Sequence, residues 1–584
     1  MLRTLSPQEP ELVRLCRNKS WIAVSLRSQS HPSEATPLES CFRGEGHTAL
    51  TVAVRHGAPK EALHALSLAN RYQIGITHRK RGSVLHEALK HRCSDDVLAY
   101  LLQSAIQYAD SVPQSRALSS AQSSRGFAGG PCTFSEIQVQ DNRPIRGPHL
   151  LGACDDLGRT ALHVLIERML RLADDEDRMK VNWIFFRALV GAYPDAIRTV
   201  DSDGNTPLIQ LLASHTVPEV PTLETCITRM VDIMISIDPE SVTFTRKLPR
   251  PWRFLPLPVP SSISPVCSPL YFALLHGRST ETVHRLLQAY RESGAEGTTA
   301  IVSQYYEVCL HIAVTARTSV ESLEAVLWDY PEAVTSRDVY GLTPVDWVWI
   351  RHVLDANTAE RSISRRRYLG SDFLEWHEYA TDHSIDSDDL WERLKVLLPV
   401  AASTMTREPH FKSGEPWSML HAACLLPSCP LGIIQVALQR SPTHSKDLRA
   451  GRYPLHYAAS RMGYRANLPL GVARGVQVLQ ERSPILLLLE HFPEAAGELD
   501  LQGQLPLHLA LEAAKKHRLW HEHEDESEVL EALIAAYPEA LDTVDGVTGL
   551  LPWQQAAVGS GASLTTIYGL LRVQPSVFAA VATS

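Results

Sequence analysis

The stretch LPLHLA, residues 505–510, combines a proline, a leucine, a histidine and a small alanine. Five other stretches keep the histidine in the same place, namely SVLHEA at His86, TALHVL at His163, VCLHIA at His311, SMLHAA at His421 and YPLHYA at His456. Proline fixes φ for a helix start, leucine points into a core, and alanine lets a neighbouring helix approach closely. The signature therefore predicts a helical unit that recurs along the chain.

Five degenerate versions of the signature lack the histidine. They are TALTVA at Thr51, TPLIQL at Ile209, SPLYFA at Tyr271, TPVDWV at Val345 and LPWQQA at Trp553. The spacing is regular in places, because Thr51 and His86 are 35 residues apart and so are His421 and His456. Elsewhere the gaps reach 40 to 77 residues. The eleven stretches predict about eleven irregular two-helix repeats with long insertions between helices.

A second recurring stretch, Tyr-Pro-Glu-Ala or a close variant, lies between these units. Its copies are GAYPDAIRTVD from Gly191, WDYPEAVTSRD from Trp328, EHFPEAAGELD from Glu490 and AAYPEALDTVD from Ala535. An apolar stripe at helical spacing precedes each copy, so the aromatic residue closes a helix and the proline begins a new turn. The next signature proline follows after 13 or 14 residues, with a turn rich in Asp and Gly between them. We expect this joint to connect successive helix pairs.

These motifs resemble those of the ankyrin-repeat family, whose unit of about 33 residues carries the signature T-P-L-H-x-A. The resemblance covers most of residues 45–580. It implies an all-α, ankyrin-like solenoid in which the signature histidine hydrogen-bonds backbone groups of neighbouring turns. The chain departs from the family pattern where Tyr-Pro-Glu-Ala replaces the usual Gly-Ala after the second helix. That departure predicts an additional turn at the joint.

The signature histidines and prolines are the expected structural anchors of the repeats. They are His86, His163, His311, His421, His456, His508, Pro207, Pro344, Pro506 and Pro552. The histidines lie on separate units some 35 residues or more apart, and a structural role explains this register better than catalysis does. No catalytic, cofactor-binding or metal-binding residue is assigned, and no cofactor is predicted.

The sequence divides into six segments. Capping helices are expected in 1–44, repeats in 45–110, a disordered loop in 111–150, repeats in 151–350, a charged insertion with irregular helices in 351–415, and repeats in 416–584. The loop is rich in Ser, Gly, Gln and Pro and has no apolar period. A proline-rich insertion at 246–268 lacks the PxxP spacing, which favours a long inter-repeat loop over a docking peptide.

Composition and charge are those of a folded protein. Hydrophobic residues make up 44% and charged residues 21% of the chain, and the net charge of -9 gives no global attraction for nucleic acid or an anionic membrane. The longest apolar run, PILLLLEHF from Pro484, is too short to span a bilayer. We expect a soluble cytoplasmic protein. A nuclear location is the alternative, with Arg365, Arg366 and Arg367 as the candidate signal.

The strongest candidate for metal chemistry is the insertion HRLWHEHEDESE, residues 517–528. Its His521 and His523 could both reach one metal ion, but the pattern is not H-E-x-x-H. Cys424 and Cys429 lack the second pair of a zinc finger, and the ten cysteines have no regular spacing, so we expect reduced thiols. Motifs of phosphate loops, dinucleotide sites and serine hydrolases are absent from the sequence.

Two hypotheses for function follow. The first is a non-catalytic scaffold or adaptor that binds partner proteins through the concave face of a solenoid, formed by first helices and turn tips. The edge that carries the insertions is a second candidate surface. The alternative is a metal-dependent enzyme whose site is built from these insertions. Partner identity is not readable, because ankyrin-like stacks bind unrelated partners by varying their surface residues.

Overall fold

The computed structural model describes seventeen stretches of the chain, which are residues 10–35, 48–74, 82–91, 93–111, 151–171, 176–214, 221–247, 266–293, 309–316, 318–337, 342–356, 387–406, 417–426, 429–462, 483–518, 526–559 and 562–573. These residues form helices, turns and one pair of two-residue strands, which confirms the predicted all-α class. They fall into two compact units. The first contains the described residues between 10 and 293, and the second contains those between 309 and 573.

The described part of the first unit consists of six successive helix pairs. Its helices are α1 (Glu11–Arg17), α2 (Trp21–Ser30), α3 (Ala49–Arg55), α4 (Lys60–Ala69), α5 (Val84–Lys90), α6 (Asp95–Ser111), α7 (Ala161–Arg171), α8 (Glu176–Ala192), α9 (Pro207–Leu212), α10 (Pro221–Ile237), α11 (Pro269–Leu275) and α12 (Thr280–Glu292). In each pair the odd-numbered helix comes first and contacts its even-numbered partner.

Packing in the first unit runs from pair to pair. Each first helix contacts the next first helix, from α1 through to α11, and most second helices do the same. The signature leucines Leu50, Leu162, Leu208 and Leu270 are fully buried between neighbouring helices. Burying such a side chain contributes roughly 1.5 to 3 kcal/mol. Since one pair cannot cover its own apolar stripe, neighbouring pairs supply the core together.

Two short strands lie at the ends of the proline-rich insertion. Strand β1 (Arg246–Lys247) pairs antiparallel with β2 (Val266–Cys267), with Arg246 opposite Cys267. The predicted loop at 246–268 therefore leaves and re-enters the first unit at adjacent points, and its residues 248–265 lie outside the described stretches. The Arg246 guanidinium also lies over the ring of Phe272, 5.9 Å from its centroid.

The second unit likewise consists of six helix pairs in its described part. They are formed by α13 (Cys309–Thr315), α14 (Val320–Asp329), α15 (Pro344–Ala356), α16 (Ser387–Thr406), α17 (Met419–Leu425), α18 (Leu431–Arg440), α19 (Pro454–Ala459), α20 (Pro484–His491), α21 (Pro506–Arg518), α22 (Glu526–Ala536), α23 (Pro552–Ala557) and α24 (Leu564–Val573). First helices contact one another from α17 to α23, and second helices do so from α18 to α22.

Helix α16 lies in the segment predicted to be a charged insertion with irregular helices. It is one continuous helix of 20 residues that contains Pro399, and it packs against α14, α15 and α17. Its Leu390, Leu394, Leu397 and Leu398 are fully buried. This part of 351–415 is therefore a core element of the second unit. Residues 357–386 and 407–416 of the same segment lie outside the described stretches.

A 3-10 turn that begins at proline forms most of the described joints between pairs, whereas the turn after α4, Arg71–Gln73, begins at arginine. The full-length turns are Pro194–Arg198, Pro239–Thr243, Pro331–Thr335, Pro442–Lys446, Pro493–Gly497 and Pro538–Asp542. Proline ends the preceding helix and is compatible with the start of the new turn. In most copies an acidic residue follows the proline. It lies in the first turn of the 3-10 element, where unpaired backbone N–H groups favour negative charge. The small third residue, such as Ala196 or Ala540, is buried. These roles account for the recurring Tyr-Pro-Glu-Ala.

Candidate protein-interaction surface

The signature histidines connect each helix pair to a later turn. Nδ1 of His86 accepts from the backbone N–H of Ser83 at 3.0 Å, and its Nε2 donates to the carbonyl oxygen of Arg159 at 2.9 Å. This tautomer is assigned from the two partners. The same Nε2 contact, at 3.0 to 3.2 Å, joins His163 to Asn205, His311 to Leu342, His421 to Arg452, His456 to Glu498 and His508 to Thr543.

Burial keeps these histidine rings neutral, because the charged ring loses its hydration. It lowers the pKa of His86, His311, His421 and His456 to about 4, and it also lowers the pKa of His163 and His508. In His86 a proton on Nδ1 would also face the donor N–H of Ser83. Nε2 of each ring is thus engaged in holding a backbone carbonyl group.

The predicted anchor prolines each occupy the first position of a helix. Pro207, Pro344, Pro506 and Pro552 begin α9, α15, α21 and α23 and are buried. In two of the five units that lack the histidine, another side chain acts as the acceptor. Oδ2 of Asp346 and Oε1 of Gln554 accept from the N–H of the residue before the proline, at 2.8 and 3.0 Å.

An aspartate organises the turn between joint and signature. Oδ1 of Asp500 accepts from the backbone N–H groups two and four residues later, at 2.9 Å each. Asp155 and Asp201 make the same two bonds in their turns. Gly503 follows Asp500 with φ of +74°, a conformation that glycine adopts at little cost. Asp201 and Asp500, which each follow a joint, thus fix a tight turn.

Three consecutive turns of the second unit form a continuous turn row, which comprises residues 447–453, 498–505 and 543–551. The first two turns are joined by an ion pair, in which Nε of Arg452 donates to Oδ2 of Asp500 at 2.9 Å. They also pack closely, because a Cβ atom added to Gly451 would lie 2.2 Å from Cγ of Leu501. These contacts hold the two turn tips side by side.

The second and third turns of the row are joined by hydrogen bonds. Nε2 of Gln504 donates to Oδ1 of Asp545 at 2.9 Å, and both side chains are buried. The backbone N–H of Gly546 donates to the carbonyl oxygen of Gly503 at 3.0 Å. The row is therefore braced by side-chain and backbone bonds along its length, so its tips are ordered in advance of any contact with a partner.

The turn row exposes aliphatic side chains. Five of them are 50 to 75% exposed, namely Leu448, Leu499, Leu501, Val544 and Val547. The adjoining first helices offer much less surface, because the residue after the histidine position is almost fully buried in α19, α21 and α23, as Tyr457, Leu509 and Gln555 show. Of the first helices and turn tips expected to bind partners, the turn tips are the accessible part here.

The last two joints and turns of the second unit are acidic. Residues 491–505 and 537–551 contain six carboxylates and neither lysine nor arginine. Asp500 and Asp545 are buried within their turns. The other four carboxylates, Glu494, Glu498, Glu539 and Asp542, are exposed. This end of the turn row therefore combines aliphatic side chains with negative charge.

Buried arginines bind the carbonyl ends of first helices, which the sequence reading did not predict. Nε of Arg278 donates to the carbonyl oxygen of Leu212 at 3.2 Å. Arg393 donates to the carbonyl oxygens of Ala313 and Thr318 at 3.2 and 2.7 Å. Carbonyl groups in a last helical turn lack intrahelical partners and carry partial negative charge. A guanidinium satisfies several of them at once.

A cleft of about 540 Å³ lies between α5, α6 and α7 of the first unit, at the edge where insertions leave the helices. Its lining includes Lys90, Asp95, Arg159, Glu167, Arg168 and Arg171. Lys90 and Arg159 both bind Asp155 at 2.9 Å. Burial alone would raise the pKa of Asp155, but hydrogen bonds from these two cations lower it to about 2. Lys90 and Arg159 are therefore both paired with Asp155 within the fold.

The predicted metal candidates are not brought together by the described residues, among which no group of three or more His, Cys, Asp or Glu side chains could hold a metal ion. His521 and His523 lie outside those residues, and so do Arg365 to Arg367. Cys424 and Cys429 are free, buried thiols, and burial raises the pKa of both. Among the helices described, none is both long and apolar enough to cross a membrane.

A scan against protein-family models and a search of curated proteins found no match to this chain. The function is therefore inferred from the geometry and charge of its surfaces.

Proposed function

We propose that this chain is a non-catalytic scaffold or adaptor that binds partner proteins through an ankyrin-like array of helix pairs. The observation that carries the proposal is the turn row, in which a braced backbone presents five exposed aliphatic side chains. Contiguous exposed apolar groups mark interaction sites. Because the row is already ordered, a partner avoids much of the entropy cost of fixing a flexible surface.

The ankyrin-like part of the proposal is supported by where the signatures lie. Each of the eleven stretches found in the sequence lies at or near the start of a first helix, and α1 and α2 precede them as a capping pair. The histidine contacts give neighbouring pairs a shared hydrogen bond in the manner the resemblance implied. We propose about eleven irregular two-helix repeats, each contributing a turn tip to a binding edge.

The proposal also follows from how the polar side chains are used. Nε2 of each signature histidine holds a backbone carbonyl group, and Asp155, Asp500 and Asp545 hold turns. Enzyme sites instead keep titratable groups near a concave pocket with a proton or ligand to exchange. The polar groups described here maintain the fold, while aliphatic and acidic groups remain at the surface for contact.

The proposal is tested by affinity purification of the full chain from its native lysate at moderate salt, with mass spectrometry of the proteins that co-purify. A second bait carries Leu501→Arg and Val547→Arg in the turn row. A matched control carries Leu68→Arg, which changes a side chain of similar exposure on α4 of the first unit. We expect a stoichiometric partner that is lost from the turn-row variant and retained by the control. Equal recovery with all three baits, or none with folded protein, would contradict the proposal.

A further inference from the structure

The cleft between α5, α6 and α7 contains more cationic than anionic side chains in the described part of the chain. Its four cations are Lys90, Arg159, Arg168 and Arg171. Three described carboxylates pair with them, and two of these are shared. Asp155 binds both Lys90 and Arg159 at 2.9 Å, and Glu167 binds both Arg159 and Arg171. Asp95 is the third, 3.9 Å from Arg168. These contacts therefore leave one positive charge in excess.

Arg168 is the most buried of the four cations, and its bonds within the fold are long. Its side chain is 8% exposed, whereas that of Arg171 is 73% exposed, so the cleft runs from a buried arginine to a solvent-facing one. The Nη atoms of Arg168 lie 3.5 Å from the carbonyl oxygens of Leu89 and Cys93. Charge-assisted N–H···O bonds are usually about 2.7 to 2.9 Å long. These two contacts therefore satisfy the guanidinium only weakly.

Two other buried arginines show the geometry of a purely structural role. Arg278 donates to the carbonyl oxygen of Leu212 at 3.1 and 3.2 Å, and Arg393 donates to that of Thr318 at 2.7 Å. Arg168 lies in a comparable place at the carbonyl end of α5, but its bonds are longer and a cleft of about 540 Å³ lies beside it. Capping of α5 therefore does not by itself account for this arginine.

The chemistry of the cleft matches that of a phosphate monoester. Such a group carries a charge of about -1.5 to -2 at pH 7 and three strong acceptor oxygens. A guanidinium presents a planar fork of donors to these oxygens, and a lysine adds a compact positive charge. The cleft volume falls within the range of about 300 to 1,000 Å³ typical of ligand sites. It exceeds the volume of one phosphate group, so residues attached to the phosphate also fit.

We propose that the cleft between α5, α6 and α7 binds a phosphorylated serine or threonine of a protein segment. Arg168 and Arg171 donate to the phosphate oxygens, and the apolar wall formed by Leu89 and Val164 contacts the neighbouring part of the segment. Clusters of arginine are a recurring means of recognising phosphorylated segments. The choice of a protein segment as the carrier of the phosphate rests on the proposed function, but the cleft lies in the first unit and is separate from the turn row.

The test uses the purified full chain and a peptide library with a fixed central phosphoserine and random flanking residues. Fluorescence polarisation then compares the selected peptides with their unphosphorylated copies. One variant carries Arg168→Lys with Arg171→Gln, which removes both guanidinium groups. Arg171→Gln is also measured alone, because that exposed side chain is not needed for folding. The control Arg187→Gln lowers the net charge equally at an exposed position on α8. Circular dichroism checks the fold of each variant.

We expect phosphopeptides to bind and their unphosphorylated copies to bind at least about tenfold more weakly. The affinity for phosphopeptides should fall about tenfold or more in the double variant, fall in Arg171→Gln, and stay unchanged in the Arg187→Gln control. Equal binding of phosphorylated and unphosphorylated peptides overturns the inference. So does equal affinity of the folded double variant and the control for the phosphopeptides.

Inorganic phosphate and free phosphoserine, followed by phosphorus NMR, separate the sources of the phosphate group. If either binds as tightly as the phosphopeptides, the assignment to a protein segment is wrong. If no phosphopeptide binds while the native partner is still lost from the Leu501→Arg, Val547→Arg bait, this inference fails and the proposed function stands. Phosphopeptide binding with no effect of the turn-row substitutions on partner recovery would support the inference and contradict the turn row as the binding surface.

Discussion

Nε2 of His508 lies 3.1 Å from the carbonyl oxygen of Thr543, which is 35 residues further along the chain. The bond joins helix α21 to the turn that precedes α23. Five other histidines make the same contact. Each of these helix pairs is therefore stabilised in part by a hydrogen bond to the turn that leads into the next pair. A repeat array of this kind has stability that depends on interfaces between nearest neighbours.

Acid should destabilise the chain through these histidines. Burial lowers the pKa of His86 from 6.5 to about 4, so the unfolded chain binds the proton first as pH falls. The neutral ring therefore makes its full contribution to the free energy of unfolding above pH 6.5. This contribution is lost progressively as the pH falls from 6.5 to 4. For a fully buried ring it is on the order of 3 kcal/mol. Thermal unfolding followed by circular dichroism across this window measures the decline.

The substitution His86→Gln tests whether His86 contributes to the loss of stability in acid. Gln554 already fills the equivalent place in α23, so glutamine can accept the N–H bond of Ser83 without titrating. We expect His86→Gln to lower the melting temperature at pH 7 and to flatten its decline towards pH 4. The control is His64→Gln, at an exposed position on α4. Identical pH slopes in the wild type and His86→Gln would count against this role.

Replacing Arg278 by methionine should destabilise the first unit. The substitution leaves the carbonyl oxygen of Leu212 without its guanidinium partner and removes the ion pair with Glu224 at 2.8 Å. Breaking a buried charge pair from one side costs about 3 kcal/mol or more. Chemical denaturation of the full chain measures the loss.

The matched control for Arg278 is Arg285→Met, which removes a partly exposed pair with Asp232. Such surface pairs contribute about 0 to 1 kcal/mol. If the two substitutions shift the midpoint equally, the buried arginine is not a specific support of the helix end.

Gly432 is expected to tolerate no side chain. A Cβ atom there would lie 1.8 Å from Cζ2 of Trp349, so alanine must displace an indole ring. Overpacking of this kind costs about 1 to 3 kcal/mol. The control Gly569→Ala lies in α24 with no atom near the added methyl group, and there alanine should stabilise by about 0.5 to 1 kcal/mol.

A double substitution tests the cause of that loss. In a Trp349→Leu background, Gly432→Ala should cost clearly less than it does alone, because the ring that opposes the methyl group is gone. Equal costs in both backgrounds, measured by denaturant unfolding, would show that the indole contact is not responsible.

Cys424 and Cys429 should resist thiol reagents in the folded protein. Both are buried, and burial raises their pKa, so little reactive thiolate is present at neutral pH. We expect Cys424→Ser with Cys429→Ser to leave the count of rapidly labelled thiols unchanged under native conditions and to reduce it by two in denaturant. Rapid native labelling that this double variant abolishes would show that the thiols are accessible.

The sequence predicts the recurring elements because their residues act locally. Proline at a helix start and histidine three residues from its N-cap depend on short-range geometry, which a motif records. In the structure the four anchor prolines begin helices, and the six signature histidines lie in the first turns of theirs. A motif built on histidine does not record that Asp346 and Gln554 supply the same acceptor with different chemistry.

Features that depend on contacts between residues distant in the sequence could not be predicted from it. Arg278 and Arg393 look like ordinary surface arginines, and only the packing of one pair on another shows that they reach helix ends. The paired basic and acidic runs near residues 365–389 predicted a charged insertion with irregular helices in 351–415, and only packing shows that α16 is a continuous core helix. The turn row combines side chains from three turns about 45 residues apart. No local sequence pattern therefore predicts that these side chains lie together.

The most direct test of the proposed scaffold is hydrogen exchange of the full chain, alone and with the partner recovered from native lysate. We expect binding to slow exchange in residues 498–505 and 543–551, with smaller changes in 447–453. The same partner should give no such protection to the Leu501→Arg, Val547→Arg variant. Protection confined to other parts of the chain, with the turn row unchanged, would contradict the assignment of this surface.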